Sequence, residues 1–360
     1  MADVHDLRSS GSIADILLEN GFDYNALRPF KAEDGNSYIN KGAGVSRARN
    51  TATLRKDEWI KLDEAVNRVR RERLNLVADL ESLGLSYTLP NAMGHTVFQY
   101  QNVSDITPAQ ISMDGINKSA SDRAVYDLNS MPIPIVSKDL YFSAREIATS
   151  RNMGATIDVT TLEEAVRQVS EKIERIHVGT AGDYNFGGGN LYGLRNFPKR
   201  RTTTVSDWTD GSKTNEQRFN DLLGLIDLQR GQNHYGPYGV YVASNLERYL
   251  DEDFKANSDI TLRERFLKVG RDSGNDTPGK IRFVKALDFL TAGDIIVVEL
   301  ASSVIQTIKG MGVTLVQWSG QGGLEYNFKV MAIQLPRCRA DYNDQCGIVH
   351  ATQAPVASAS

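Results

Sequence analysis

The segment with the sharpest chemical signal is Gly274–Ile281, GNDTPGKI. Its glycines and lysine fall at the G-x-x-x-x-G-K spacing of a loop whose backbone N–H groups cradle phosphates while the lysine reaches the outer oxygens. The next residue is Ile281, where a magnesium-binding hydroxyl is required, and KIRFVKAL then reads as a strand. No helix N-terminus would face a phosphate there, so a turn between a helix and a strand is the better account. Gly187–Gly189 in GDYNFGGGN make a loop of close backbone approach. It follows a helix and opens none, which breaks the dinucleotide fingerprint. The histidines at 5, 95, 177, 234 and 350 form no H-E-x-x-H and have no cysteine at ligand spacing. His177 sits where a helix C-terminus favours a cation. Cys338 and Cys346 are too few for a Cys-only metal site or a disulfide framework. Free thiols in a reducing compartment are expected, with one bridge as the alternative. There is no G-x-S-x-G elbow, and the carboxylates are spread as helix surface charge. These residues nominate no catalytic group, no metal and no cofactor, and the chain is expected not to be an enzyme.

The elements around these residues have ordinary globular composition: 360 residues, 41% hydrophobic and 24% charged, with net charge −4. That charge does not draw a polyanion by bulk attraction. No apolar run approaches membrane-spanning length, and the N-terminus lacks the basic start and apolar core of a secretory signal.

The clearest element is Thr160–Gly179. Leu162, Val166, Val169, Ile173 and Ile176 recur at steps of three and four and form one helical stripe. Thr160 or Thr161, each with a glutamate three residues on, offers a capping box, and Gly179 a left-handed C-cap. Arg167, Glu171, Lys172, Glu174 and Arg175 are read as the solvated or charge-contacting face. Upstream, Leu54–Leu83 is expected as one long helix, with Trp59, Leu62, Val66, Val69, Leu76, Leu80 and Leu83 inward and Arg73 as the one polar intrusion in that stripe; Arg68, Arg70, Arg71 and Arg73 read as a solvated or subunit-pairing cluster, ahead of a nucleic-acid contact. Residues 1–50 are polar and glycine-rich, with one short helix signal around IADILLEN. They cannot form a core of their own and read as an arm ordered by neighbours.

Prolines 90, 108, 132 and 134 exclude long helices from Leu85–Ser137. HTVFQYQNVSDI and RAVYDLNSMPIPIV have strand character and SMDGINKSASDR is a polar turn, together an extended hairpin. A lone ribbon is marginal in water, so it is expected to lie across another copy. Lys213–Met311 reads as a compact α/β unit: helix NEQRFNDLLGLIDLQRG, strand YGVYVAS, helix NLERYLDEDFKA capped by Ser244 or Asn245, helix TLRERFLKVG, then strands KIRFVKAL and DIIVVELA, the last buried on both faces. TLVQWSG and LEYNFKVMAIQLPR are two long strands after it, and TQAPVASAS is a tail.

The run LYFSAREIATSRNMGATIDVTTLEEAVRQVSEKIERIHVGT, then YGLRNF, then YGVYVASNLERYL, together with DEWIKLDEAV at 57–66, resembles the major capsid protein of tailed phages with the HK97 fold, in its encapsulin-related branch. The matching positions are Asp158–Arg167, Gly179, Gly193–Phe197 and Gly236–Val242. The resemblance implies an α+β chain. Its parts are an N-terminal arm (1–53), an N-terminal helix (54–84), an extended loop (85–138), a peripheral domain (139–212 and 312–350) with a spine helix (160–178), an axial domain (213–311) and a tail (351–360). It implies self-assembly as pentamers and hexamers into an icosahedral shell around double-stranded DNA in a virion built in the bacterial cytoplasm. Scaffolding, portal and decoration proteins are the other implied partners, and no membrane. Lys118 and Arg123 of the loop, and Trp59, Arg70 and Arg71 of the first helix, are then expected at subunit contacts. Some relatives join a loop lysine to a neighbour's asparagine, for which Lys118 and Asn327 are the available pair, an ordinary solvated lysine being the alternative. An encapsulin-like compartment around a protein cargo is the second reading, although the arm 1–53 departs from encapsulins. A soluble α/β enzyme built on 213–311 is the third.

Overall fold

The helix Thr160–Val178 runs through the middle of the molecule with Leu162, Val166, Val169, Ile173 and Ile176 all buried, as the stripe requires. The computed structural model describes residues 30–31, 37–41, 44–47, 56–103, 111, 113, 123–152, 159–255, 259–269, 280–319, 325–341 and 343–353. The fold is α+β, as expected, and is organised around two sheets. Among the described residues no helix is long and apolar enough to cross a membrane.

The first sheet has four strands in the order Ser86–Thr88, Ile305–Ser319, Glu325–Cys338, Val136–Ser143. Its two long strands pair antiparallel, from Ile305 opposite Cys338 to Ser319 opposite Tyr326. One face presents Val313, Leu315, Phe328, Val330 and Ala332 to the central helix and to the opening helix Lys56–Arg73. Ile308, Ile333 and Leu335 share a separate cluster with Leu89, Met131 and Ile133 at the base of the hairpin.

The second sheet has five strands in the order Arg201–Val205, Ile348–Gln353, Asp294–Glu299, Tyr238–Ala243, Ile281–Leu287. It is mixed, antiparallel at its two inner pairings and parallel at its two outer ones. Every residue of Tyr238–Ala243 and Asp294–Glu299 is buried, because both faces are covered. Val240, Val242, Ile295 and Val297 pack with Leu222, Leu225 and Ile226 of the helix Asn215–Arg230. Tyr241, Ala243, Ile296 and Val298 pack with Leu76 and Leu80. Thr214 and Gln217 form a complete capping box on Asn215–Arg230.

Several expectations need correction. The long N-terminal helix is two helices, Lys56–Arg73 and Asn75–Ser82, broken at Leu74. The central helix has Val159 at its N-cap with no side-chain cap, so no capping box forms there, whereas Gly179 takes the left-handed C-cap at φ 91°. NLERYLDEDFKA gives only a 3₁₀ turn, Ser244–Leu246, and a short helix, Glu247–Asp251, without a side-chain cap from Ser244 or Asn245. The unit read over 213–311 supplies three strands of the second sheet. Arg201–Val205 and Ile348–Gln353 complete it from outside that range, and Ile305–Ser319 runs through the 311/312 division. Such pairings are fixed by long-range contact, not by local pattern. The arm, read without strands, contains three short antiparallel ones, Phe30–Lys31, Ser37–Lys41 and Gly44–Arg47. Its IADILLEN helix signal lies outside the described residues, as does GNDTPGK up to Gly279. Lys280 leads into the strand Ile281–Leu287 as expected.

Candidate assembly interface

The hairpin is the feature that the rest of the chain leaves incompletely covered. Val97–Val103 and Tyr126–Pro132 pair antiparallel from Val97 opposite Pro132 to Val103 opposite Tyr126. Side chains alternate across a strand, so Phe98, Tyr100 and Met131 share one face while Gln101, Leu128 and Tyr126 share the other. The inner face docks on the chain's own body. Tyr87 and Phe98 lie 5.7 Å apart, and Phe98 stacks on Tyr100 at 6.4 Å. Arg337 sits over the rings of Tyr87 and Phe98 at 5.9 and 5.8 Å, and Arg339 over Tyr100 at 5.7 Å. Arg339 also donates to the Gln101 carbonyl at 3.0 Å. Cation–π contacts of this kind contribute about 0.5–2 kcal/mol each, enough in a row to set the angle at which the hairpin leaves the body.

The outer face differs along its length. Near the base it is covered by the glycine loop: a Cβ on Gly189 would lie 2.5 Å from the Ser130 carbonyl oxygen, and one on Gly187 2.8 Å from Val97. Gly189 therefore serves a backbone approach to the hairpin, while Gly187 abuts the Val97 side chain. Farther out, Tyr126 and Leu128 are 62% and 58% exposed. Large apolar side chains grouped on an exposed ribbon are the signature of a contact surface.

The angle between hairpin, central helix and second sheet is fixed by YGLRNF. Leu194 and Arg195 N–H groups donate to the carbonyls of His177 and Val178 at 3.0 and 2.8 Å, capping the end of the central helix. A Cβ on Gly193 would lie 2.4 Å from Ile176 O, which is why glycine stands there. Arg195 Nε meets Asp294 Oδ2 at 2.6 Å, with His350 Nε2 3.2 Å from Oδ1, so the turn is tied to the second sheet. Burial pushes the Asp294 carboxyl up, but His350 and Arg195 outweigh it and hold it below the usual range.

The residues singled out by sequence fall in different places. Trp59, expected at a subunit contact, is instead 6% exposed inside the chain's own core, edge-on to Phe328 at 6.2 Å. Indole is the largest apolar group on that helix face and fills the space between helix and sheet. Arg70 is half-buried and faces Glu81 at 3.8 Å. Arg71 lies on the same helix, its side chain outside the described residues, and Lys118 is outside them altogether. Arg123 is exposed just ahead of the strand Tyr126–Pro132. Asn327 stands on the strand Glu325–Cys338, opposite Trp318 and Tyr141.

Two side chains on the central helix were misread. His177 is fully buried, its Nδ1 2.9 Å from the Ile173 carbonyl, and burial pushes it down to about 4, so it is neutral, not a dipole-favoured cation. Glu174, read as part of a solvated or charge-contacting face, is 1% exposed and accepts the Leu76 N–H at 2.6 Å. Neither could be found from residue type, because both are buried by segments remote in sequence.

Elsewhere, a cavity of about 400 Å³ beside the helix Asn215–Arg230 is lined by Ser206, Asp207, Asp210, Lys213 and Asp221. Its charges are already engaged: Lys213 meets Asp221 and Ser206, Trp208 Nε1 donates to Asp221 at 3.0 Å, and Asp207 accepts from Thr209. His234 and Glu299 form a second buried pair at the start of Tyr238–Ala243. Cys338 and Cys346 are both free and buried. Among the described residues no three His, Cys, Asp or Glu side chains are grouped to hold a metal.

Residues 48–351 match the family described as "Family of unknown function (DUF6260)". No curated protein matches the chain. Among solved structures, the virus-like particle from Pyrococcus furiosus is similar with a TM-score of 0.55 and 17% identity, covering 81% of this chain and 98% of that one. The capsid of Myoviridae phage XM1 gives 0.55 and 11%, covering 72% and 86%. The capsid of a native GTA particle gives 0.51 and 10%, covering 78% and 91%. The chain therefore has the HK97-type fold that its sequence resembles.

Proposed function

From the premise that this chain belongs to the DUF6260 family and has the fold of shell subunits, we propose that it is a structural capsid protein. Copies assemble as pentamers and hexamers into a closed icosahedral shell around the double-stranded DNA of a tailed phage, in the cytoplasm of a bacterial host. Scaffolding, portal and decoration proteins are the further partners of this reading, and no catalysis is assigned. The four-stranded sheet with the central helix serves as the peripheral domain, and the five-stranded sheet as the axial domain at the capsomer axes.

The observation that carries the proposal is the outer hairpin face. Tyr126 and Leu128 are ordered on a ribbon whose inner face is docked, yet remain more than half exposed. Burying such side chains contributes about 1.5–3 kcal/mol each, and a neighbouring copy is the surface the fold provides for it. Arg123, at the same end, is assigned to that neighbour contact, as is Lys118; Arg70 and Arg71 are assigned to subunit pairing on the opening helix.

A second reading, a compartment around a protein cargo, is favoured by the extent of the likeness to the Pyrococcus particle, which covers 98% of that chain. Electron microscopy of purified material, with nuclease protection and mass spectrometry of the contents, separates the two. Shells with protected DNA are expected. Shells holding a co-purifying enzyme favour the second reading, and a monodisperse monomer at high concentration refutes both.

A further inference from the structure

The break at Leu74 leaves the helix Asn75–Ser82 without a local cap: Leu74, at its N-cap, makes no side-chain bond. The first free N–H groups of a helix need an acceptor, and here it comes from the central helix, where Glu174 Oε1 accepts the Leu76 N–H at 2.6 Å. The short helix is gripped at its other side as well. Lys285 pairs with the Asp79 carboxylate, and the Tyr241 hydroxyl lies 3.5 Å from it, both from the five-stranded sheet. Leu76 and Leu80, both fully buried, pack into that sheet's core. One two-turn helix thus links the central helix to the second sheet.

We propose that the helix Asn75–Ser82 is a proton-controlled joint: the Glu174 carboxyl grips its N-terminus, Asp79 ties it to the five-stranded sheet, and loss of the Glu174 proton favours opening because it leaves an unpaired charge buried there. The surroundings explain the direction. Glu174 lies on a buried polar stripe with Ser170 and His177, and Ser170 Oγ, Glu174 Oε2 and His177 Nε2 have no hydrogen-bond partner in the protein. From the helix Asn75–Ser82 the charge facing it is the Asp79 carboxylate, which repels; Glu81 is turned to Arg70 and Lys309. The second sheet brings Tyr241 and Lys285, both to Asp79. In the four-stranded sheet, Thr307 and Gln334 are fully buried polar side chains that carry no charge. Among the described residues no lysine or arginine pairs with Glu174. Burial pushes its carboxyl up to about 7 against the downward pull of the Leu76, Val77 and Asn75 N–H groups.

The sign follows from linkage. The closed joint holds the proton more tightly than an open one in which the carboxyl regains its ordinary value near 4.5. Raising the pH from 5.5 to 8 therefore favours opening, by roughly thirtyfold for this group alone. The joint lies within a single chain and stands whether or not copies assemble.

The test is hydrogen exchange of the amides of residues 75–82 in the full chain and in Glu174→Gln, at pH 5.5 and pH 8. Taking the ratio of protection between the two proteins at each pH cancels intrinsic exchange chemistry and the titration of His177. The ratio of wild type to variant is expected to fall roughly thirtyfold between the two pH values; a ratio that does not change overturns the proposal. Infrared spectroscopy of the wild type needs no variant. A protonated carboxylic-acid band that disappears between pH 6 and 8 is expected, and complete ionisation of every carboxyl by pH 6 overturns the proposal equally.

Discussion

Gly193→Ala should be among the most damaging single-methyl additions in this chain. The new Cβ would lie 2.4 Å from both Gly179 N and Ile176 O and 2.6 Å from His177 O. All three are backbone atoms, so no rotamer change relieves the clash. The YGLRNF turn must withdraw, and the bonds from Leu194 and Arg195 to the end of the central helix, 3.0 and 2.8 Å long, are lost or stretched. Overpacking costs about 1–3 kcal/mol and each lost backbone hydrogen bond about 1 kcal/mol, giving about 3–5 kcal/mol in all. That is a large part of the roughly 5–15 kcal/mol that holds a domain folded. Gly224→Ala is the control. It sits within Asn215–Arg230 with nothing within 4 Å of its added methyl, and helix propensity should favour alanine by about 1 kcal/mol. Urea unfolding of unassembled chains, followed by circular dichroism, should move the two midpoints in opposite directions. Equal shifts, or a stable Gly193→Ala, would refute the reasoning that this turn caps the central helix.

Tyr126→Glu with Leu128→Glu should leave subunit stability within about 0.5 kcal/mol, as surface changes do, while abolishing large species in sedimentation velocity. The pH dependence of stability should come from two opposed groups on one helix. His177 is held down at about 4, so its contribution, complete above its ordinary 6.5, is lost as pH falls from about 6.5 through 4. Glu174 is held up at about 7, so its contribution is complete below 4.5 and lost as pH rises through 7. The two slopes cancel between about pH 4.5 and 6.5, and His177→Gln should unmask a stability that increases on acidification across that window, read from urea midpoints. Burial pushes the Cys346 thiol up to about 12 and the Cys338 thiol higher still, so neither should react with an aromatic disulfide at pH 8 until the chain is unfolded.

Much of the frame was legible because it rests on period. The stripe of the central helix and the apolar run Asp294–Glu299 record burial, and the structure buries them. The hairpin, expected to lie on another copy, instead docks one face on Tyr87, Arg337 and Arg339 of its own chain. What was not legible depends on partners far along the chain. The break at Leu74 interrupts a stripe that continues in register from Val69 to Leu76, and the carboxylate that satisfies the new helix start is 98 residues away. Glu174 and His177 looked like surface groups because residue type reports solvent preference, not the neighbours that override it. Arg201–Val205 pairs in parallel with Ile348–Gln353, a contact between distant segments that no local pattern encodes. Gly189 and Gly193 were visible as glycines, but the backbone they approach, Ser130 and the end of the central helix, was not.

The central claim is that the exposed outer half of the hairpin is built to be covered by a second copy of this chain. Cryo-electron microscopy of the purified full-length protein tests it most directly. Closed shells with density from an adjacent subunit over Tyr126 and Leu128 are predicted. Particles in which those side chains face solvent, or a chain that stays monomeric at every concentration, would contradict it.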